Sequence, residues 1–174
     1  MEQTITTTTT KGVVIGLILI IFALVTYFAN IEANSPFQWI GYAVFIVGII
    51  WSVYSYGKQV DYNSTFGNYF AHGFKVAALV TLIMIIYIVV FIILFPDFKE
   101  KALDKARIDM RKKNMTEEQM TQGLEITRKF FLVFIIGFTL VFYLIFGALA
   151  ALVGAAITKK QPNKFIGDIN QIGK

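Results

Sequence analysis

The sequence predicts an all-α, polytopic membrane protein with four transmembrane helices and an extramembrane helical hairpin between the third and the fourth. Three observations predict this fold. Hydrophobic residues make up 56% of the 174-residue chain and charged residues only 16%, whereas charged residues make up about 25% of ordinary soluble domains. Four apolar runs are each long enough, at about 1.5 Å of helix rise per residue, to cross a hydrocarbon core of roughly 30 Å. A charged insert, residues 97–129, separates the third run from the fourth.

The four predicted spans lie in a transmembrane domain of residues 11–160, between two polar tails. They cover residues 12–31, 37–56, 73–95 and 130–157. The threonine-rich residues 1–10 have no amphipathic pattern and are predicted to be a disordered tail, and residues 161–174 are predicted to be a basic tail. A signal peptide is the alternative for the first run, but its apolar stretch is usually only about 7–15 residues. We therefore predict an uncleaved first span.

The charged insert is predicted to fold as an antiparallel helical hairpin outside the bilayer. It carries nine of the sixteen Lys and Arg residues and seven of the eleven acidic residues. Pro96 is expected to bend the helix of the third span or to end it. Thr116 and Gln119 have the spacing of a capping box, which predicts a second helix after a turn at residues 114–116. The first helix has a narrow apolar stripe formed by Phe98, Ala102, Leu103, Ala106 and Met110.

The orientation of the four spans follows from the distribution of basic residues. Seven basic residues lie on the side of the termini and nine lie in the insert, so the raw count favours a cytoplasmic insert. The charges that flank the spans favour the opposite arrangement. Lys11 precedes the first span, the connector 30–36 after it has no Lys or Arg, and Lys159 and Lys160 follow the last span. We predict cytoplasmic termini.

Small residues recur at a spacing of four in the first and the last span. Such faces let helix backbones approach closely, which is how helices associate in lipid. The same spacing also serves self-association, so packing within one bundle and a homo-oligomer are both open. The residues predicted to make these contacts are Gly12, Gly16, Gly147, Ala151, Gly154 and Ala155.

Three ionisable residues, Asp61, His72 and Lys75, are predicted to form an interfacial cluster near the start of the third helix. Such a cluster is typical of a proton-handling site or a site that binds lipid headgroups. The alternative is an interfacial histidine beside a lysine whose charged end reaches back to water. That alternative is favoured, because ionisable groups indicate function by default only when they lie within the membrane core.

Several classes of function are excluded or disfavoured by the residue types present. The chain has no cysteine and one histidine, and its four apolar cores contain no ionisable residue. No catalytic triad, phosphate-binding loop or two-histidine metal motif is present. We therefore expect no enzyme, no catalytic residue, no cofactor and no metal site. The net charge of +5 comes from residues that flank or interrupt apolar segments, which indicates contact with the lipid bilayer rather than with nucleic acid.

The expected function is a non-enzymatic structural or docking role, in which the hairpin of residues 97–129 binds a protein partner. The alternative is a small oligomeric transporter or channel subunit, whose lining would include Thr26, Thr81, Thr139 and Tyr143. A third, weaker hypothesis is a lipid-headgroup enzyme that uses His72.

One aromatic motif points to a known family. The entry to the third span contains Phe66, Gly67, Phe70, Gly73 and Phe74, and a charged helical insert precedes the fourth span. Together these features resemble the bacterial membrane family known as domain of unknown function 4199, found mostly in Bacteroidota. The resemblance covers residues 11–160 and implies an inner-membrane location. It carries no established activity or site residue.

Overall fold

The structure, a computed structural model, describes residues 7–31 and 35–160, apart from the side chain of Gln38. Within these ranges the chain forms six α-helices and no β-strand, so the all-α prediction is confirmed. Four of the helices, α1, α2, α3 and α6, are long and apolar enough to cross a membrane. The helices are α1 (Thr8–Phe28), α2 (Gln38–Gln59), α3 (Phe66–Leu94), α4 (Asp97–Lys112), α5 (Glu117–Lys129) and α6 (Phe131–Lys159).

The chain divides into two compact units. Unit 1 contains the described residues up to Met84 and from Phe142 onward, which include α1, α2, the first part of α3 and the last part of α6. Unit 2 is Ile85–Val141, which includes the end of α3, all of α4 and α5, and the start of α6.

Helix α1 begins earlier and ends earlier than the first predicted span. The hydroxyl of Thr7 accepts a hydrogen bond from the Thr10 amide at 3.2 Å, so residues 8–10, which the sequence analysis assigned to a disordered tail, form the first helical turn. Asn30 has a left-handed backbone with φ of 51°, and the Ile31 amide donates to the Thr26 carbonyl at 3.0 Å. This Schellman-type turn ends the helix at Phe28. Residues 1–6 and the predicted basic tail 161–174 lie outside the described residues.

Helix α2 continues past the predicted end of the second span at residue 56. Gly57 lies inside the helix, where a Cβ atom added to it would overlap the Cγ2 atom of Thr158 on α6. The chain turns only at Asp61 and Tyr62, whose φ angles are 49° and 57°. The Tyr62 amide donates to the Gly57 carbonyl at 2.8 Å, which closes the end of the helix.

Helix α3 begins at Phe66, seven residues before the predicted third span. Thr65 supplies the cap, because its hydroxyl accepts a hydrogen bond from the Asn68 amide at 3.2 Å. The helix ends at Leu94, just before Pro96, as the missing amide of proline predicts. At 29 residues, α3 is about 43 Å long and exceeds a hydrocarbon core of roughly 30 Å.

The outer faces of unit 1 are as apolar as its core. Ile21, Val47 and Leu82 are more than half exposed, whereas a helix of a soluble bundle presents polar residues on that face. Exposed apolar faces of this kind are typical of helices that meet lipid, so the protein is membrane-embedded. The buried core of the unit includes Ile15, Leu19, Phe45, Ile49, Val53, Tyr69, Val76, Val80, Ala151 and Ala155.

The small residues singled out in the sequence lie where helices of unit 1 meet. A Cβ atom at Gly12 would lie 2.7 Å from Leu79 Cδ2, and one at Gly147 would lie 2.5 Å from the Ala77 side chain. Gly16 faces Ile83 and Gly154 faces Val53 in the same way, and Ala151 and Ala155 are fully buried. These contacts join α1 to α3, α3 to α6, and α2 to α6.

Helices α4 and α5 form an antiparallel pair, called here the α4–α5 pair. Leu103 and Met120 are its buried apolar residues, and an Arg128 guanidinium nitrogen lies 2.7 Å from a Glu100 carboxylate oxygen. The other predicted stripe residues, Phe98, Ala102, Ala106 and Met110, are half-buried.

The turn between α4 and α5 has the predicted caps. Asn114 adopts a left-handed φ of 56°. The Gln119 amide donates to the Thr116 hydroxyl at 3.3 Å, and the Thr116 amide donates to the Gln119 side chain at 3.0 Å. This is the reciprocal capping box expected from the sequence.

Replacing Thr116 by alanine is expected to loosen the start of α5. The loss of an N-cap costs about 1 kcal/mol, which corresponds to about fivefold faster hydrogen exchange of the first-turn amides of α5. The control is Thr121→Ala, because the Thr121 hydroxyl only donates back to the Glu117 carbonyl of its own helix. Equal exchange rates in the two variants contradict the prediction.

Candidate functional site

A polar cluster lies inside unit 1 where the start of α1, the end of α2 and the start of α3 meet. This end of the unit, which also holds the end of α6, is called here the terminal end. The cluster consists of Thr8 and Lys11 from α1, Ser52 and Tyr56 from α2, and His72 from α3.

Lys11 is the most unusual member of the polar cluster, because its side chain is only 1% exposed. Its amine donates a hydrogen bond to the Ser52 backbone carbonyl at 3.2 Å. The sequence predicts Lys11 to be a charge that flanks the first span, whereas in the structure Lys11 lies within α1 and is buried. One signal could have found it: Lys11, Ile15 and Leu19 are four residues apart and share the buried face of α1.

The imidazole of His72, which belongs to α3, contacts side chains of α1 and α2. Its Nδ1 atom lies 3.4 Å from the Thr8 hydroxyl, and its Nε2 atom lies 3.3 Å from the Ser52 hydroxyl. The ring stacks on Tyr56 with the centroids 4.3 Å apart and the planes 4° from parallel. A neutral imidazole has one donor and one acceptor nitrogen, and a hydroxyl serves either role, so both nitrogens are satisfied in either tautomer.

The other two members of the predicted interfacial cluster lie on α3 and in the turn before it. Lys75 is exposed, almost one helical turn after His72, and Asp61 is half-buried in the turn that follows α2. Burial and the neighbouring Tyr54 hydroxyl raise the pKa of Tyr62 to about 12, so Tyr62 is neutral at physiological pH. The hydrogen-bonding partners of His72 on α1 and α2 were not named from the sequence.

The terminal end of unit 1 is strongly cationic. In the described residues 7–12, 57–75 and 155–160, Asp61 is the only acidic side chain. The five lysines minus one aspartate give a net charge of +4 there. The Lys159 amine donates to the Ser64 carbonyl at 3.0 Å, and the Lys58 amine lies 4.9 Å from the centre of the Tyr54 ring. The lysines are Lys11, Lys58, Lys75, Lys159 and Lys160.

Ser52, His72 and Thr8 have the connectivity of a nucleophile, a base and a residue that orients the base. Ser52, however, has no exposed surface, so a substrate carbonyl has no path to its hydroxyl. The arrangement therefore acts as a buried hydrogen-bond network that ties three helices together.

Each threonine expected to line a channel donates a hydrogen bond from its hydroxyl to a backbone carbonyl of its own helix. Thr26 donates to the Phe22 carbonyl at 2.9 Å and Thr81 to the Ala77 carbonyl at 2.8 Å. Thr139 likewise donates to the Ile135 carbonyl. The Tyr143 ring packs edge-on against Phe45, with the centroids 4.7 Å apart.

A second candidate surface is a groove of about 260 Å³ on the α4–α5 pair. Two of its lining residues, Glu100 and Arg128, form the ion pair that joins the helices. The groove is lined by Glu100, Leu103, Asp104, Arg107, Thr121, Leu124, Glu125 and Arg128. Across residues 7–31 and 35–160, no group of three or more His, Asp or Glu side chains is arranged to hold a metal ion.

Comparison with known proteins identifies the family. Residues 10–160 match a family described as a protein of unknown function, DUF4199. No curated protein and no solved structure matches the chain. The matched range includes α1 from Thr10 onward and all of α2 to α6, together with the polar cluster except Thr8 and the aromatic motif at the start of α3. The chain therefore belongs to the DUF4199 family of proteins of unknown function.

Proposed function

We propose that this chain is a non-enzymatic protein of the bacterial inner membrane with cytoplasmic termini. In this proposal the α4–α5 pair stands outside the bilayer as a helical hairpin, and its groove docks a protein partner that presents a basic segment. The observation that carries the proposal is the charge pattern of this groove.

The charge of residues 97–129 supports a position outside the bilayer. The segment has sixteen charged side chains, nine basic and seven acidic, and each costs about 2.5–3.5 kcal/mol at the centre of a membrane-spanning helix. The side chains of Arg111 and Glu117, at the turn, are 69% and 80% exposed. A segment of this composition is stable only in water or in the headgroup region.

The groove differs in charge from the segment around it. Residues 97–129 have a net charge of +2, from nine basic minus seven acidic residues. The groove has three acidic residues and two arginines, which give a net charge of −1. Because Arg128 is paired with Glu100, Asp104 and Glu125 outnumber Arg107 among the remaining charges. A partner segment with Lys or Arg side chains is the complementary ligand.

The burial of Ser52 supports a non-enzymatic role, since the one serine–histidine pair of the cluster is closed to substrate. The family resemblance supports a location in the bacterial inner membrane. The flanking residues Lys11, Lys159 and Lys160 support cytoplasmic termini by the positive-inside rule.

Docking through the groove is tested by photo-crosslinking in cells. A photoreactive amino acid at Thr121, which lines the groove, is expected to crosslink a protein, and the Asp104→Arg variant is expected to lose most of that product. Asp109→Arg is the matched control, because it makes the same charge change on the opposite face of α4. Equal crosslinking in the two variants, or a product with the mass of two copies of this chain, contradicts the proposal.

The orientation is tested with single cysteines, because the natural chain has none. Lys112→Cys near the turn after α4 is expected to react with a membrane-impermeant maleimide in intact cells whose outer membrane is made permeable. Lys58→Cys at the end of α2 is expected to react only after lysis. Both positions are exposed. The reverse pattern places the hairpin in the cytoplasm and overturns this part of the proposal.

A further inference from the structure

Among the described residues, the Lys11 ammonium has no counter-charge. Within the described part of the chain its amine has one hydrogen bond, to a backbone carbonyl, and no carboxylate lies at ion-pair distance. His72, an ionisable side chain of the same polar cluster, carries either no charge or a positive one and so supplies no counter-charge. An unpaired charge that is removed from water costs several kcal/mol, and intramembrane ionisable residues of this kind are typically retained for a function.

The site lies close to the start of α1. Lys11 is three residues from the start of α1, which corresponds to about 4.5 Å of helix rise. Thr8 is half-buried and His72 is 8% exposed, so these two residues form the outer side of the cluster. A lysine stem of four carbons is comparable in length to this distance, so the amine is able to extend toward the end of the helix.

We infer that Lys11, Thr8 and His72 form a binding site for a phosphate oxyanion at the terminal end of unit 1. In the bound state the Lys11 amine exchanges the Ser52 carbonyl for a phosphate oxygen, and the Thr8 hydroxyl donates a second hydrogen bond. The imidazole of His72 stays stacked on Tyr56, its Nε2 atom accepts a hydrogen bond from the Ser52 hydroxyl, and its Nδ1–H group donates to a phosphate oxygen.

The surroundings of the site favour an anion. The terminal end carries a net charge of +4, and the positive end of the α1 helix dipole adds to the attraction. Phosphate is the anion present in quantity at this depth, as the phosphodiester of a lipid headgroup. Free phosphate from the cytoplasm has the same chemistry. The inference concerns unit 1 and does not depend on docking at the α4–α5 pair.

The test uses the purified full-length protein in a neutral detergent after lipid removal. In one arm phosphatidylglycerol is added and the retained lipid is counted by native mass spectrometry. In the other arm inorganic phosphate at about 10 mM is added and the unfolding midpoint is measured. Lys11→Gln is expected to lower occupancy about tenfold or more, the effect of one lost hydrogen bond to a charged group. Lys75 is an exposed lysine at the same end of the unit. The Lys75→Gln variant is expected to lower occupancy by less than about fivefold.

The outcomes separate the two sources of phosphate. Lipid retention that depends on Lys11, without a phosphate effect, supports a headgroup site, and a phosphate-induced stabilisation that depends on Lys11 supports a site for free phosphate. Wild-type protein that responds to neither probe overturns the inference, and so do equal losses in the two variants. If Lys11→Gln fails to fold, Lys11→Met replaces it, because methionine fills the same space without a charge.

Discussion

Replacing Gly73 by leucine is expected to lower the unfolding midpoint of the protein by about 2–12 °C. A Cβ atom at Gly73 would lie 2.5 Å from Val53 Cγ2 on α2 and 2.8 Å from the Ala151 side chain on α6. The Ala151 Cα atom, which belongs to the backbone, would be only 3.2 Å away, so a rotamer change cannot relieve the clash. Overpacking of this kind costs about 1–3 kcal/mol or more, and each 1 kcal/mol corresponds to about 2–4 °C at this size.

The matched control for this prediction is Gly137→Leu on α6. A Cβ atom at Gly137 would have no neighbour within 4 Å, and leucine favours a helix over glycine by up to about 1 kcal/mol. The control is expected to leave the midpoint unchanged or to raise it. The measurement is thermal unfolding in detergent, followed by far-UV circular dichroism. Similar midpoints for the two variants contradict the packing of α3 between α2 and α6.

Replacing Tyr69 by alanine is expected to destabilise unit 1 by about 3–5 kcal/mol, the usual cost of removing a buried aromatic ring. Tyr69 is fully buried and packs against Val53 and Ala155. Its ring also contacts Tyr56, at a centroid distance of 6.1 Å. Because Tyr56 stacks on His72, the cavity is expected to loosen the polar cluster as well.

Two further variants separate the ring of Tyr69 from its hydroxyl. The hydroxyl is buried without a hydrogen bond of standard geometry among the described residues, and the Ser64 backbone lies near it. Tyr69→Phe is therefore expected to change the free energy of unfolding by less than about 1 kcal/mol. Phe74→Ala, at a position 37% exposed on the same helix, is expected to cost less than Tyr69→Ala. A Tyr69→Phe variant as unstable as Tyr69→Ala contradicts this account.

The helix ends show where local sequence was sufficient and where it was not. The capping box at Thr116 and the end of α3 before Pro96 match the prediction, because each depends on residues that are neighbours in the chain. The ends of α1 and α2 differ by three residues from the predicted span ends. Hydropathy predicts which residues lie in the bilayer but not where a helix ends. The backbone leaves the helical conformation just before Asn30 after α1 and just before Asp61 after α2, and both residues adopt left-handed φ angles.

The polar cluster shows a second limit of prediction. His72 was identified from the sequence as a candidate, but its partners Thr8 and Ser52 lie 64 and 20 residues away. No local pattern relates residues at these separations. Lys11 was predicted only as a flanking charge, because its position at the edge of an apolar run is typical of a residue that reaches toward headgroups.

The sequence alone determined the all-α class, the four apolar helices, and the helix caps around residues 113–119. These follow from composition, run length and short-range capping. Only the tertiary structure decided which face of each helix is buried, so only the structure showed that Lys11 lies inside unit 1 and that Gly73 contacts two helices. The physical reason is that lipid is as apolar as a protein core, so the contrast between polar and apolar residues that marks the buried face of a soluble helix is absent here.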